Sequence, residues 1–391
     1  MRNLRGIIVA AVFAALTVLL RLLGDRFDVL LGMAYPFASK TYMELVGGWL
    51  GKFDVCVWQI ALVLFCVAVA ASIGLMILNR WNILRWLGWV LAPVSIVVFL
   101  FTLVWGLNYS NKPIHESMKL EVPDWSVSDL REATDYYLEQ ANRYSRLVER
   151  DENKDLILED LDSLNETLSQ SYDNLVWKYS IFAGARGPVK ELGWSDLCSS
   201  LGCDGISIGL TGEAAVNMNQ YGATIPFAMC HEVAHLLAFA REDEANFAGY
   251  LACEFSEDVT FRYSGYLKAF LYCADTLYAV DAAQWREVWD GATDRLRHDV
   301  EAMNQEYARW EGQTMERANQ FYDSYLVLSG QDQGVEAYND VTGLLVAWYM
   351  DQYRPRTEPE VPPFNPLDYN EVFPTEHPTE PEETTAPTTE P

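Results

Sequence analysis

Three long apolar runs near the N-terminus constrain the fold of this chain more than any other feature. They cover residues 7–23, 55–78 and 84–107, and each is long enough to cross a lipid bilayer as a helix. No small-residue cleavage site follows the first run, and Arg21 and Arg26 continue the chain, which favours an anchor over a cleaved signal peptide. The sequence therefore predicts a multi-pass protein of the cell membrane, anchored through residues 1–107.

Basic residues beside these runs predict the orientation. Arg2 and Arg5 precede the first run, and Arg80 and Arg85 lie in the short turn between the second and the third. Short cytoplasmic loops are enriched in Lys and Arg, whereas the longer loop at residues 24–54 carries mixed charges. We therefore expect the N-terminus inside the cell and the domain after residue 107 outside the cytoplasm.

Acidic residues dominate the remainder of the chain. The formal net charge is −27, although 50% of the 391 residues are hydrophobic. Such a surface repels a polyanion, so nucleic acid is not an expected partner. The expected partners are the lipid bilayer and a peptide or protein substrate, and the sequence indicates no obligate partner and no oligomeric state.

Helical periodicity dominates residues 108–355, which are expected to form one soluble domain. Amphipathic helical patterns cover residues 130–147, 156–177, 285–325 and 335–353. Gly and β-branched residues favour short strands at 206–210 and 214–218. Residues 356–391 are rich in Pro, Thr and Glu, cannot bury a core, and predict a disordered tail. The expected fold class is mainly α, with three transmembrane helices and a small β element.

An HExxH motif occupies residues 231–235. His231 and His235 are four residues apart, so on a helix they share one face and reach one metal ion. Imidazole suits zinc, which keeps a position open for water. Glu232 is the expected general base, which takes a proton as that water attacks a peptide carbonyl and passes it to the leaving amine. The motif predicts a zinc-dependent metallopeptidase.

The third metal ligand lies outside the motif. The nearest carboxylates are those of Glu242, Asp243 and Glu244. On one straight helix, Glu242 would lie roughly 16 Å beyond His231. The helix must therefore break near residues 238–241 and be followed by a second helix, although neither Gly nor Pro marks the break. Glu242 is the preferred ligand, and Glu244 is the alternative.

The stretch EDEANFA that begins at Glu242 resembles the ExEAN or ExEAD stretch of membrane glutamate zincins. In those enzymes a glutamate ligand on a second helix is followed four residues later by an aspartate, which orients a ligand histidine. The resemblance implies a zincin-like domain in which Glu242 is the ligand. Asn246 stands where those enzymes carry the orienting aspartate.

A wider pattern runs through five further stretches. They are WGLNYS at 105–110, TGEAAVN at 211–217, IPFAMCHEVAH at 225–235, EDEANF at 242–247 and FRYSGY at 261–266. Together with the three spans, they are similar to an uncharacterised bacterial membrane family that is catalogued as a domain of unknown function. The similarity covers about residues 1–353, and members commonly carry Gly where this chain has Ala238. Membership implies a zinc peptidase by motif and names no substrate.

Four more residues have expected positions around the site. Zincins keep a substrate-binding edge strand before the catalytic helix, and residues 214–218 are expected to form it, with Glu213 and Asn217 at the cleft; a hydrogen-bonded turn is the alternative. Tyr263 or Tyr266 would donate to the developing oxyanion, or else lie in the core. The stretch from Trp105 to Tyr109 is expected to anchor the third span at the membrane interface and to take no part in the chemistry.

The seven cysteines form no CxxC pair, so a cysteine-based zinc site is not expected. Cys198 and Cys203 are close in sequence and form either a local disulfide or two buried thiols.

A different class of function is the alternative to a peptidase. A zinc-binding sensor or interaction domain would signal through the membrane helices without cleaving peptides. Its weakness is that the expected cytoplasmic parts are only short loops. A third hypothesis is a purely structural zinc site, and Glu232 argues against it because such a site has no use for a base.

Overall fold

The computed structural model describes residues 4–184, 186–328 and 340–355. Predictions for residues 335–339 and for the tail at 356–391 lie outside the described residues. The helices are α1 (Arg5–Arg26), α2 (Asp28–Tyr42), α3 (Gly48–Leu50), α4 (Val57–Leu78), α5 (Ile83–Val104), α6 (Ile114–Met118), α7 (Val127–Tyr144), α8 (Leu161–Lys178), α9 (Ser195–Ser200), α10 (Ile225–Leu236), α11 (Glu242–Glu254), α12 (Val259–Val280), α13 (Ala282–Asp290), α14 (Asp294–Trp310), α15 (Gln313–Leu328) and α16 (Asp340–Gln352). The strands are β1 (Val189–Glu191), β2 (Gly205–Ile208) and β3 (Glu213–Val216). The mainly helical fold with a small β element is confirmed.

Three of the helices have the length and hydropathy of membrane spans. They cover Arg5–Gly24, Val57–Leu78 and Ile83–Val104, with mean hydropathies of 2.5, 2.8 and 2.4. The first and third pack together where Gly6 meets Gly88, since a Cβ on Gly6 would lie 2.4 Å from the carbonyl carbon of Gly88. Small residues permit such a close backbone approach in membrane helices. The three predicted apolar helices are confirmed.

Residues 24–54 form helices where the sequence favoured a loop. They contain all of α2, a π-helical turn at Met43–Gly47, and α3. Pro36 inside α2 hides this helix from a propensity argument, and tertiary contacts hold it in place. The Tyr35 hydroxyl donates to the carbonyl of Leu103 at 3.2 Å, and the Tyr42 hydroxyl donates to the carbonyl of Leu210 at 2.6 Å. This segment therefore bridges the third membrane helix and the sheet.

The sheet has the order β1–β3–β2. Strand β3 lies in the middle, parallel to β1 and antiparallel to β2. The predicted strands at 206–210 and 214–218 correspond to β2 and β3, whereas β1 has only three residues and no recognisable pattern. The expectation that residues 214–218 form the edge strand is wrong, because Val189 pairs with Ala214 and closes that side. Strand β2 is the edge that lies against α10.

Helices α10, α11 and α12 form the centre of the helical domain. Most side chains of α10 and α11 are buried, and α12 packs on both of them and on α7. Residues 285–325, which looked like one helical region, are divided into α13, α14 and α15. The first division has Thr293 as its N-cap, which accepts a hydrogen bond from the amide of Leu296.

Candidate metal centre

Three predicted ligands converge where α10 ends and α11 begins. The Nε2 atoms of His231 and His235 are 3.1 Å apart. The carboxylate oxygens of Glu242 lie 3.4 Å from Nε2 of His231 and 3.6 Å from Nε2 of His235. Zinc ligands at about 2.0–2.1 Å in a tetrahedron are separated by roughly 3.3–3.4 Å, so the donor atoms and their spacing fit zinc. In the described part of the chain, His231, His235 and Glu242 form the one cluster of His, Cys, Asp or Glu side chains whose ligand atoms are close enough to share a metal ion.

A left-handed turn at Ala238 breaks the helix and makes this convergence geometrically possible. Ala238 has φ of 72°, a conformation that favours glycine. Its amide donates to the carbonyl of His235 at 3.1 Å, and the amide of Phe239 donates to the carbonyl of Ala234 at 3.2 Å. This pair of bonds is the Schellman motif, which usually has Gly at the left-handed position. The predicted break is therefore present with Ala in that position.

Burial and one hydrogen bond of the ring favour the neutral form of His235. Its Nδ1 lies 2.8 Å from the carbonyl oxygen of Phe239, which accepts a hydrogen bond from Nδ1–H and leaves the Nε2 lone pair free for a metal. Burial lowers the pKa of His235 to about 4, which favours the neutral ring. Its own carbonyl accepts a hydrogen bond from Nε1 of Trp105 at 3.1 Å.

The surroundings of Glu242 favour the carboxylate form, which is the form that binds metals. Burial alone would raise its pKa, but the neighbouring His235 and His231 outweigh burial and hold the pKa at about 2. The hydroxyl of Tyr322 on α15 donates to Oε1 of Glu242 at 2.6 Å. Tyr322 belongs to no recognisable sequence motif, so the sequence alone did not predict this contact.

Glu232 lies beside the two histidines against the start of the edge strand. The side chain is buried. Burial raises the pKa of Glu232 to about 7, because its effect outweighs the lowering by the nearby His231. A Cβ at Gly205 would lie 2.5 Å from Oε1 of Glu232, so the strand approaches the carboxylate closely only because residue 205 is glycine. The Glu232 Oε2 atom is buried and has no hydrogen-bond partner among the residues that the structure describes. A carboxyl group of this kind is poised to exchange a proton near neutral pH.

Asn246 is the polar neighbour of the His231 ring. Burial lowers the pKa of His231, but Glu242, Glu232 and Asn246 together raise it above its usual value. Its Nδ1 is buried and makes no hydrogen bond within the described part of the chain. Asn246 is the polar side chain beside the ring, and its Oδ1 accepts a hydrogen bond from the Tyr272 hydroxyl at 3.1 Å. Asn246 thus occupies the place that the zincin resemblance assigns to an orienting residue.

Glu244, the alternative ligand, points away from the cluster. Its Oε1 accepts a hydrogen bond from the amide of Ile114 at 2.7 Å and forms an ion pair with Arg241. Ile114 belongs to the segment that follows the third span. Glu244 therefore connects that segment to α11.

The structure does not bring Glu213 and Asn217 to the metal group. Glu213 is buried, pairs with Lys190 at 2.7 Å, and accepts hydrogen bonds from the amides of Val57 and Trp58 at 2.8 and 3.1 Å. It therefore caps the first turn of the membrane helix α4. Asn217 donates to the carbonyl of Cys203 at 3.0 Å, which corresponds to the hydrogen-bonded turn that was the alternative.

Tyr263 and Tyr266 use their hydroxyl groups elsewhere in the core. The Tyr263 hydroxyl donates to the buried carboxylate of Asp299, which also pairs with Arg150. The Tyr266 hydroxyl donates to Glu254 at 3.2 Å. The hydroxyl that reaches the metal group is instead that of Tyr322.

Trp105 lies inside the protein, and the expectation of an interface anchor is wrong for it. Its side chain is only 7% exposed and contacts Gly209, where a Cβ would lie 2.3 Å from the indole. The hydrogen bond to His235 explains this burial, because an indole N–H in the core needs an acceptor. Cys198 and Cys203 are free thiols, and a hydrogen bond joins the thiol of Cys203 to the carbonyl of Gly205 at 3.0 Å.

Comparison with known proteins places the chain in a family whose description names no activity. No curated protein and no solved structure matches it. One family model, described as "Protein of unknown function (DUF3810)", matches residues 33–346. The match includes two of the three apolar helices and the whole histidine–glutamate cluster. This chain is therefore a member of the DUF3810 family.

Proposed function

We propose that this protein is a membrane-bound zinc metallopeptidase. The observation that carries the proposal is the cluster of His231, His235 and Glu242, whose ligand atoms all lie within 4.8 Å of one another. Glu232, a buried carboxyl group with a pKa near neutrality, adjoins it. A hydrolytic zinc site typically combines two neutral imidazoles and one carboxylate as ligands with a neighbouring general base. A structural site needs no base.

The residues have separate roles in this reaction. When bound, zinc supplies a Lewis acid that polarises a carbonyl oxygen and lowers the pKa of water. His231, His235 and Glu242 would hold the ion. The carbonyl of Phe239 holds the His235 ring in position, and Asn246 lies beside the His231 ring. Glu232 accepts the proton of the attacking water and delivers it to the leaving amine.

The proposed location is the cell membrane, with the site on the extracytoplasmic side. The beginning of α4 and the end of α5 are on one side of the membrane, and both are bonded to the domain that carries the cluster, through Glu213 and Trp105. The turn between α4 and α5, with Arg80 and Arg85, is then on the opposite side, which the distribution of basic residues assigns to the cytoplasm. A peptide or protein near the outer membrane surface is the proposed substrate.

The test is cleavage of a peptide library by the purified full-length chain in detergent, loaded with zinc. Glu232→Gln is the matched variant, because it keeps the shape of the side chain and removes the base. We expect cleavage by the wild type and a loss of about 1,000-fold or more in the variant. Equal cleavage by both proteins would remove Glu232 from its role, and cleavage by neither would refute the peptidase.

A sensor is the second candidate, and one contact supports it. The hydrogen bond from Trp105 to His235 links the end of a membrane helix to a proposed metal ligand. Binding of a metal would therefore alter the position of that helix. In that case zinc binding would change the protease sensitivity of residues around the spans in Glu232→Gln as much as in the wild type. A peptidase needs no such change.

A further inference from the structure

One face of α12 lies along the metal-bearing helix. Ser264, Lys268 and Tyr272 are four residues apart and share this face. Ser264 accepts a hydrogen bond from the amide of Phe227, at the start of α10, at 3.0 Å. Tyr272 reaches Asn246 beside His231. Lys268 stands between these two contacts, next to the metal centre.

The ammonium group of Lys268 rests on two aromatic rings that border the site. Its Nζ lies 5.5 Å from the centre of the Phe227 ring and 5.1 Å from that of Tyr272. The Phe227 ring is itself 6.4 Å from the ring of His231. One aromatic side chain therefore separates this positive charge from a metal ligand.

Lys268 has no carboxylate partner in the described part of the chain. No ion pair within 4.0 Å includes it, although Asp204 and Asp275 act on it electrostatically and a hydrogen bond joins it to the side chain of Tyr272. Its side chain is half-buried, so the charge is shielded from bulk water. In a protein with a net charge of −27, a half-buried lysine without a paired carboxylate is unusual.

We propose that Lys268 is a specificity residue, which pairs with a carboxylate of the substrate. The inference rests on the proposed peptidase function. An extended peptide advances about 3.3 Å per residue, so a carboxylate one to three residues from the scissile bond reaches this position. The carboxylate is either the C-terminus of the substrate or an Asp or Glu side chain. Phe227 and Tyr272 hold the ammonium in place and exclude water from the pair.

The experiment uses the full-length chain in detergent and pairs of fluorescent peptides that differ only in one charge. One pair has a free or amidated C-terminus, and the others exchange Asp for Asn or Glu for Gln near the cleaved bond. Cleavage is measured as kcat/KM, and binding is measured by fluorescence anisotropy on Glu232→Gln. The two readouts separate recognition from chemistry.

Three variants are compared with the wild type. Lys268→Met keeps the apolar stem over the rings and removes the charge, Lys268→Glu reverses the charge, and Lys268→Arg keeps it. The control is Lys178→Met, because Nζ of Lys178 also lies 5.3 Å from an aromatic ring, that of Tyr179, but donates to Gln352. It reproduces the loss of a lysine–aromatic contact outside the metal centre.

We expect the wild type, Lys268→Arg and Lys178→Met to prefer the carboxylate peptide of one pair by about 10–100-fold. Lys268→Met should lose the preference, and Lys268→Glu should favour the neutral peptide. Cleavage without any carboxylate preference would overturn the role of Lys268 and leave the peptidase standing. Preferential binding of the carboxylate peptide, with no cleavage by the wild type, would support the role of Lys268 in recognition and refute the peptidase. Absence of both the binding preference and cleavage would refute both proposals.

Discussion

The indole Nε1 of Trp105 donates a hydrogen bond to the carbonyl oxygen of His235 at 3.1 Å. Trp105 is the residue that ends the third apolar helix, and His235 is a ligand of the candidate metal centre. The same carbonyl accepts the amide of Ala238 in the turn after α10. One oxygen atom therefore joins a membrane helix, the metal-bearing helix and the turn that directs Glu242 to the site.

Loss of this contact should loosen the metal. Trp105→Phe removes the donor and is expected to increase the rate of zinc release about tenfold, since outer contacts of a ligand histidine commonly contribute this much. Release is measured by transfer of zinc to a chromogenic chelator. Trp89→Phe is the control, because Trp89 lies in the same helix and is 64% exposed. Equal rates in all three proteins would show that the contact does not act on the metal.

The turn at Ala238 predicts a stabilising substitution. Ala238→Gly should raise the free energy of unfolding by about 0.5–1 kcal/mol, because glycine adopts a positive φ without steric cost. The measurement is thermal unfolding of the full-length chain in detergent. Ala240→Gly, in the same turn but without a positive φ, should have the opposite sign. A destabilised Ala238→Gly would contradict the left-handed turn.

Tyr322 is expected to take part in the reaction. A hydroxyl that reaches an oxygen of the ligand Glu242 lies beside the atoms that a substrate carbonyl must approach, so it is placed to donate to the developing oxyanion. Tyr322→Phe should lower kcat/KM about 10–100-fold while zinc remains bound. Tyr325→Phe on the same helix, whose hydroxyl contacts Tyr109, should remain close to the wild type. Loss of zinc in Tyr322→Phe would instead assign Tyr322 to holding the ligand.

Glu213 should matter for stability and not for chemistry. Glu213→Ala leaves Lys190 buried without its partner, which is expected to cost about 3–5 kcal/mol of folding free energy. The double variant Lys190→Met/Glu213→Leu should recover part of this loss, because apolar residues of similar volume replace a buried ion pair well. Unfolding and zinc content are measured on the same samples. If Glu213→Ala remained stable and lost only activity, the result would support the original prediction that Glu213 lines the substrate cleft.

Local rules were sufficient for the centre of the site. The spacing of His231 and His235, the adjacent Glu232, and the distance along the chain to Glu242 all follow from helix geometry and the need for a break. The three apolar helices follow from composition in the same way. These features depend on residues that are close in sequence.

Features that depend on distant contacts were not predictable. The break has no Gly or Pro, and it is supported by Trp105 and Asn111, whose partners are 130 and 127 residues away. Glu213 looked like a cleft residue because its partner amides in α4 lie more than 150 residues earlier. Tyr322 donates a hydrogen bond to Glu242, which lies 80 residues earlier in the chain, and no local sequence pattern predicts this contact.

Zinc content of the purified full-length chain tests the central claim most directly. We expect about one zinc per chain in the wild type, in Glu232→Gln and in Glu244→Gln, and loss of zinc in His231→Ala, His235→Ala and Glu242→Ala. The content is measured by elemental mass spectrometry after dialysis against a weak chelator. A wild-type chain without zinc, or a Glu242→Ala variant that retains it while Glu244→Gln does not, would contradict the account.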